Sequence, residues 1–339
     1  MVIKMAEFSI DNNKKTIVCV GSALVDMLAR ETDAFIDHLG VEKGGMNLVD
    51  RSYIGRLISQ ATAAPSLVSG GSACNTAVGV GRLGGITRFV GKLGEDELGE
   101  IFAQDLNRNH VQSVIFYGKN PTGCVLSVIT PDAQRSMFTY LGAASEMRPD
   151  EIHSDCFRDA AVVHVEGYLL FNRALMSAVL ASAKEAGALI SLDLASFNVV
   201  EESKDILDEI IPEYVDILIA NEDEALAYSG HSDEDEALEA LAKHVDLAVL
   251  KIGARGSRVA LNGRRLNIPP HGNGDAAVDT TGAGDLWAAG FLFGLVNGYS
   301  LEHSGRLASA CGYEVCQVVG AKIPEHGWER IGRLLAGLC

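Results

Sequence analysis

Short runs of β-branched and apolar residues alternate with amphipathic segments along most of this chain. That rhythm limits the possible folds more than any other feature. Thr16–Val20 (TIVCV), Thr87–Val90 (TRFV), Val162–Val165, Leu189–Asp193, Ile217–Ala220 and Leu247–Lys251 each have the length and make-up of a buried strand. Between them, Asp96–Asn109, Arg173–Ala186, Ser203–Ile211, Glu222–Tyr228 and Asp235–His244 carry helical patterns. Strands separated by helices of this length predict a mostly parallel sheet covered on both faces. At 339 residues the chain suits one large α/β domain, or such a domain with an insertion.

Two regions break the rhythm. Residues 34–61 carry turn glycines and a mixed pattern, and residues 113–142 read as consecutive strands (VIFYG, GCVLSVIT, RSMFTYL) with a turn at Pro131-Asp132. They predict a small β-rich lid; an antiparallel edge of the main sheet is the alternative. The expected division is a disordered leader over 1–15, an α/β core over 16–33, 62–112 and 143–339, and lid insertions over 34–61 and 113–142.

Composition excludes several function classes. The formal net charge is −17, which argues against a general nucleic-acid or anionic-membrane surface. Seven scattered cysteines with no C-x-x-C spacing read as reduced thiols of a cytoplasmic protein. The N-terminal stretch lacks the apolar core of a signal peptide, and no apolar run reaches the ~18 residues that cross a bilayer.

The stretch DTTGAGDLWAAGFLFG, residues 279–294, carries the strongest chemical signal. A capped helix would explain Asp285 but not Gly282 and Gly284 beside it, because glycine costs backbone entropy on folding. A helix starting here would aim free N–H groups and a positive dipole end at whatever lies in front of it. Bare glycines let a phosphate approach closely, and a carboxylate at the same point can take a proton from an attacking hydroxyl. The combination points to phosphoryl transfer. Neither familiar phosphate motif competes: Gly91-Lys92 is followed by Leu93, so there is no Walker A loop. The G-x-G-x-x-G of Gly79, Gly81 and Gly84 runs from helix into strand, the reverse of a dinucleotide fingerprint.

Five stretches, in order, resemble the ribokinase-like (PfkB) kinases, which phosphorylate sugars and nucleosides with ATP. They are SGGSACNTAVGVGRLGG (69–85), FVGKLGEDELGE (89–100), NEDE (221–224), LKIGARGS (250–257) and DTTGAGD (279–285). The resemblance covers roughly residues 16 to 321. It implies a three-layer α/β sandwich with a mostly parallel central sheet and a small β-rich lid. It also implies ATP and Mg²⁺ as cofactors, with a monovalent cation such as K⁺ in some members, and either a monomer or a homodimer paired through the lids.

Carried over position by position, the resemblance makes Asp285 the base and the Gly282, Ala283 and Gly284 backbone the anion hole. Asp26, Gly70, Gly71 and Asn75 match the acceptor site. Asn221 and Glu224 match the residues that organise Mg²⁺, while Lys251, Gly253 and Gly256 lie where the ATP phosphates and ribose pass. Each has a plainer reading: a strand-end carboxylate, a turn, a helix cap, a first-turn acid, a lysine in solvent. Lys251 departs from the threonine common at its position, and Ser22 from a common asparagine. KGGMNLVD (43–50), TPDAQRSMFTYLGAA (130–144) and VEGYLL (165–170) look most like bacterial adenosine-kinase-like members. That favours a nucleoside acceptor, with Phe138, Tyr140, Tyr168 and Phe171 as candidate walls for a purine. A free sugar such as ribose or fructose is the alternative, and a non-catalytic binding protein on the same fold is a third reading.

Overall fold

The computed structural model describes residues 8–41, 43, 45–131, 134–272 and 277–338. Residues 1–7 of the expected leader, Gly44, Asp132 and Ala133 of the stretches quoted above, and one of the seven cysteines, Cys339, lie outside the described residues. The strands, in chain order, begin with β1 (Thr16–Val20), β2 (Leu24–Arg30), β3 (Met46–Leu48), β4 (Ser66–Gly70), β5 (Ile86–Leu93), β6 (Val111–Tyr117) and β7 (Gly123–Ile129). They continue with β8 (Arg135–Tyr140), β9 (Ala160–Glu166), β10 (Leu189–Asp193), β11 (Ile217–Asn221), β12 (Leu247–Lys251), β13 (Ser257–Leu261) and β14 (Arg264–Ile268).

The larger sheet has nine strands in the order β14-β13-β12-β11-β10-β9-β1-β5-β6. From β12 to β6 neighbouring strands run parallel, and β13 and β14 form an antiparallel edge. Strand alternation divides the core between the two faces. Ile17, Cys19, Ile217, Ile219, Leu247 and Val249 meet the helices Ser72–Arg82, Ala283–Val296 and Leu301–Cys316. Their neighbours Val18, Val20, Leu218, Ala220, Ala248 and Leu250 pack on the other face with helices Arg173–Glu185, Lys204–Tyr214 and Glu234–Ala242. Burial on both faces explains why these strands read as continuous apolar runs.

The second sheet has five strands in the order β3-β8-β7-β2-β4. It corrects the expected boundaries in three places. β6, assigned to an insertion, pairs parallel with β5 and closes the edge of the larger sheet. β2 and β4, assigned to the core, pair with each other and with β7 in the smaller sheet. The misassignment has a simple cause: strands of both sheets are short and apolar, and periodicity cannot report which sheet a strand joins. The described part of the leader is also held down. Phe8 and Ile10 pack against the core, Lys14 Nζ donates to the Ala186 and Gly187 carbonyls at 3.0 and 2.9 Å, and Lys15 Nζ donates to that of Val296 at 2.7 Å.

The chain order reverses at β1, which has β5 on one side and β9 on the other. Such a switch point opens a crevice at the carboxyl ends of the strands, where α/β folds bind ligands. Here four adjacent strands end in polar residues: β9 in Glu166, β10 in Asp193, β11 in Asn221 and β12 in Lys251.

Candidate active site

Asp285 is the third residue of the helix Ala283–Val296. The turn before it depends on Gly282, whose φ of 75° is left-handed and whose missing side chain leaves room for Ala321. The rest of this helix is almost entirely buried, because it lies between Ser72–Arg82 and Leu301–Cys316. That explains its uniformly apolar sequence. The close approaches need small residues: a Cβ on Gly79 would meet Ala289 at 2.6 Å, and one on Gly290 would meet Ala308 at 2.8 Å. Gly79 of the G-x-G-x-x-G match is thus a helix-packing contact, and Gly84 with φ 84° turns the chain after its helix.

Two side chains from the helix Ser72–Arg82 fix the Asp285 carboxylate. Ser72 Oγ donates to Oδ1 at 2.7 Å and Asn75 Nδ2 donates to Oδ2 at 2.9 Å. Thr76 Oγ1 donates to the Asp285 carbonyl at 3.1 Å. Burial pushes the carboxyl of Asp285 above its ordinary range, and the Asn75 and Ser72 hydrogen bonds oppose that rise. The result is a buried carboxylate with stronger basicity than a surface aspartate, held at a helix start.

Asp26 is not the strand-end carboxylate of its plainer reading. It lies inside β2 of the smaller sheet, beside β4. Gly70, at the end of β4, has no room for a Cβ because the Asp26 carboxylate occupies that space. Burial raises Asp26 to about 6, partly offset by Arg135 and aided by Asp285. Gly71 then takes a φ of 96° as the residue before the helix Ser72–Arg82, and its Cβ would overlap the Ser22 carbonyl. The pair therefore links the smaller sheet to the helix that holds Asp285, in a conformation that disfavours any other residue.

Asn221 and Glu224 form a capping box: Asn221 N and Nδ2 donate to the Glu224 carboxylate at 2.8 and 2.7 Å, and Glu224 N donates back to Asn221 Oδ1 at 2.9 Å. Burial pushes Glu224 up to about 7, with Lys251 opposing. Among the described residues no group of three or more His, Cys, Asp or Glu side chains could hold a metal. The Asn221 and Glu224 oxygens are the hard donors that Mg²⁺ takes when the rest of its shell is water and phosphate. Gly253 and Gly256, with φ of 56° and 99°, build the turn between β12 and β13, and a Cβ on Gly256 would overlap the Ile268 carbonyl.

Lys251 does not point to solvent. Its ammonium donates to Asp193 Oδ2 at 2.9 Å in a largely buried ion pair, and a Cβ on Gly284 would lie 3.0 Å from Nζ. Burial alone would lower Lys251, but Asp193 and Glu224 outweigh it and hold the charge. Asp193 and its counterpart Glu166 are additions to the residues expected at the site. The buried Glu166 carboxylate accepts from Ser22 N at 2.8 Å and Ala73 N at 3.0 Å, across the switch point, and burial raises it to about 7. The signal was present: VVHVE and LISLD each end an apolar strand in a carboxylate at the ligand-binding edge. Arg135 on β8 is a further addition. It forms a buried ion pair with Asp279, the first residue of the DTTGAGD loop, and so ties the smaller sheet to it.

The arrangement joins a basic carboxylate, a bare helix start and a fixed cation in one crevice, which is what transfer of an anionic group to a hydroxyl needs. The profile of the pfkB family carbohydrate kinases matches residues 46–327. The probable fructokinase-4 of Arabidopsis thaliana is 32% identical over 72% of this chain and 80% of its own. The crystal structure of adenosine kinase from Sinorhizobium meliloti superposes with a TM-score of 0.85 at 34% identity, covering 95% of this chain and 99% of that one. A probable sugar kinase from Rhizobium etli CFN 42 gives 0.86 at 32% identity, covering 96% and 99%. The chain belongs to the pfkB family and is an ATP-dependent kinase of sugars or nucleosides.

Proposed function

We propose that the protein transfers the γ-phosphate of ATP to the hydroxymethyl group of a ribose-containing nucleoside of the adenosine kind. The observation that carries the mechanism is the Asp285 carboxylate, held by Ser72 and Asn75 at a helix start. Asp285 takes the proton of the acceptor hydroxyl. A bond forms between that oxygen and the γ-phosphorus, the bond to the β,γ-bridging oxygen breaks, and its electron pair leaves with ADP. The backbone N–H groups of Gly282, Ala283 and Gly284 face the charge on the transferred group. Asn221 and Glu224 would hold Mg²⁺ through water, and the ion would supply charge neutralisation at the ATP phosphates. Gly253 and Gly256 leave the backbone bare for the phosphates and ribose of ATP.

Asp26 binds the acceptor. A carboxylate can accept from two neighbouring hydroxyls at once, as a ribose diol presents them. The smaller sheet acts as a lid that swings on Gly70 and Gly71. For the base, Tyr168 and Phe171 follow Glu166 at the strand ends and expose 37% and 60% of their surface, so they offer an aromatic wall. Phe138 does not: it is fully buried and packs on Tyr53. The likeness to the Sinorhizobium adenosine kinase over nearly the whole chain supports this acceptor. The likeness to a fructokinase favours the second reading, a free sugar. Among the described residues no helix is long and apolar enough to cross a membrane.

The test is a phosphorylation screen of adenosine, other ribonucleosides, ribose and fructose with Mg-ATP, with and without K⁺. We expect a ribonucleoside to give the highest kcat/KM. A free sugar surpassing every nucleoside would replace the acceptor assignment and leave the chemistry in place.

A further inference from the structure

We propose that Lys251 is a catalytic cation for the transferred phosphoryl group and that Asp193 is the residue that positions it. The inference rests on the phosphoryl-transfer reading above. A lysine ammonium at the first turn of a helix is badly placed for stability, because the N-terminal end of the dipole is itself positive. Yet Nζ stands 3.0 Å from where a Gly284 side chain would begin, and Lys251 is largely buried. Two positive features converge on one spot, where Asp193, Glu224 and Asp285 balance the ammonium in the resting protein. A phosphoryl group in transfer, with its charge spread over three equatorial oxygens, would meet both positive features at once. Gly284 is then required twice: its N–H belongs to the helix start, and its missing side chain keeps the ammonium close.

Asp193 explains how the lysine stays there without ligand. Its Oδ2 holds Nζ at 2.9 Å, and its Oδ1 accepts from Ala195 N at 3.0 Å, where Ala195 adopts a left-handed φ of 65°. The carboxylate is thus clamped by its own turn and cannot follow a wandering lysine. His164 lies behind it on β9, fully buried, with Nδ1 3.1 Å from Ser191 Oγ. Burial keeps this imidazole down near 4, so it is neutral at pH 7 and leaves the charge of the pair unaltered. The lysine is preorganised, and little side-chain freedom remains to be lost when phosphate arrives.

The test compares Lys251→Ala, Lys251→Arg and Asp193→Asn with wild type, using kcat, KM for ATP, melting temperature, and rescue by ethylammonium ions. We expect Lys251→Ala to lose about 10²-fold or more in kcat with a much smaller change in KM for ATP, and ethylammonium to restore roughly tenfold of the loss. Asp193→Asn should lose roughly tenfold in kcat while leaving the acceptor KM in place. A folded Lys251→Ala within about threefold of wild type, or one that ethylammonium does not rescue, overturns the proposal. If Lys251→Ala does not fold, Lys251→Arg and Asp193→Asn decide: wild-type kcat in Asp193→Asn overturns the positioning role. Wild-type protein that phosphorylates no acceptor overturns the functional reading itself, so the two failures are distinguishable.

Discussion

Asn75 and Asp285 stand 210 positions apart in sequence and meet in a 2.9 Å hydrogen bond, Nδ2 to Oδ2. With the 2.7 Å bond from Ser72, this contact joins the helix that follows the Gly70-Gly71 link to the helix Ala283–Val296. The orientation and the basicity of Asp285 therefore depend on a neighbouring helix.

That dependence has a pH signature. Burial raises Asp285, and the Asn75 and Ser72 bonds pull it back down. Removing either donor lets the pKa climb further, so the acid limb of kcat/KM moves to higher pH. Ser72→Ala and Asn75→Ala should each lose roughly three- to thirtyfold at pH 6 and less at pH 9. A pH–rate profile of each variant checks this; parallel losses at every pH would contradict it.

Asp26 carries the acceptor prediction. Loss of one hydroxyl of the diol leaves a carboxylate oxygen unpaired, at a cost of about 1–3 kcal/mol. Deoxy acceptors should therefore fall about 10- to 100-fold in kcat/KM. In Asp26→Ala most of that discrimination should vanish along with much of the activity. Equal kcat/KM for diol and deoxy acceptors in wild type would remove Asp26 from the acceptor site.

Gly71 bears on lid movement. Its φ of 96° and its contact with the Ser22 carbonyl leave no place for a side chain. Gly71→Ala should destabilise the protein by about 1–3 kcal/mol and depress kcat and acceptor KM together. Small-angle scattering of the wild type should show compaction when both ligands bind. An unchanged profile with and without them would end the hinge assignment.

Glu166 should make stability itself pH-dependent. Its folded pKa is raised by burial from 4.5 to about 7, so the native state binds a proton more tightly than the unfolded chain does. This carboxyl therefore favours folding below the unfolded pKa, and that contribution is lost as pH rises from about 4.5 to about 7, by an amount of about 3 kcal/mol. Denaturant melts of wild type and Glu166→Gln across this window should differ by a margin that shifts in favour of the variant as pH rises. A constant margin would contradict the raised pKa.

Much of this was legible in the sequence. Leu247–Lys251 and Leu189–Asp193 were read with the boundaries the structure has, because strands buried on both faces leave an unbroken apolar run. The DTTGAGD turn was legible because its glycines have no use in an ordinary capped helix. Which sheet β2, β4 and β6 join is not legible, since pairing partners leave no mark on periodicity. The sequence offers Lys251 as a phosphate contact or a lysine in solvent and gives Asp193 no role; only the sheet brings β10 and β12 to either side of β11 and lets the two side chains meet across it.

The central claim is that Asp285 is the proton acceptor in phosphoryl transfer, and Asp285→Asn tests it most directly. The substitution preserves size and can keep the contact with Asn75 through its carbonyl oxygen, but it removes the base. The measurement is kcat with the best acceptor, beside the Kd for ATP from calorimetry. In Asp285→Asn kcat should fall by about 10²-fold or more while ATP binding stays within a few-fold of wild type. Near-normal turnover in a folded Asp285→Asn protein would contradict it.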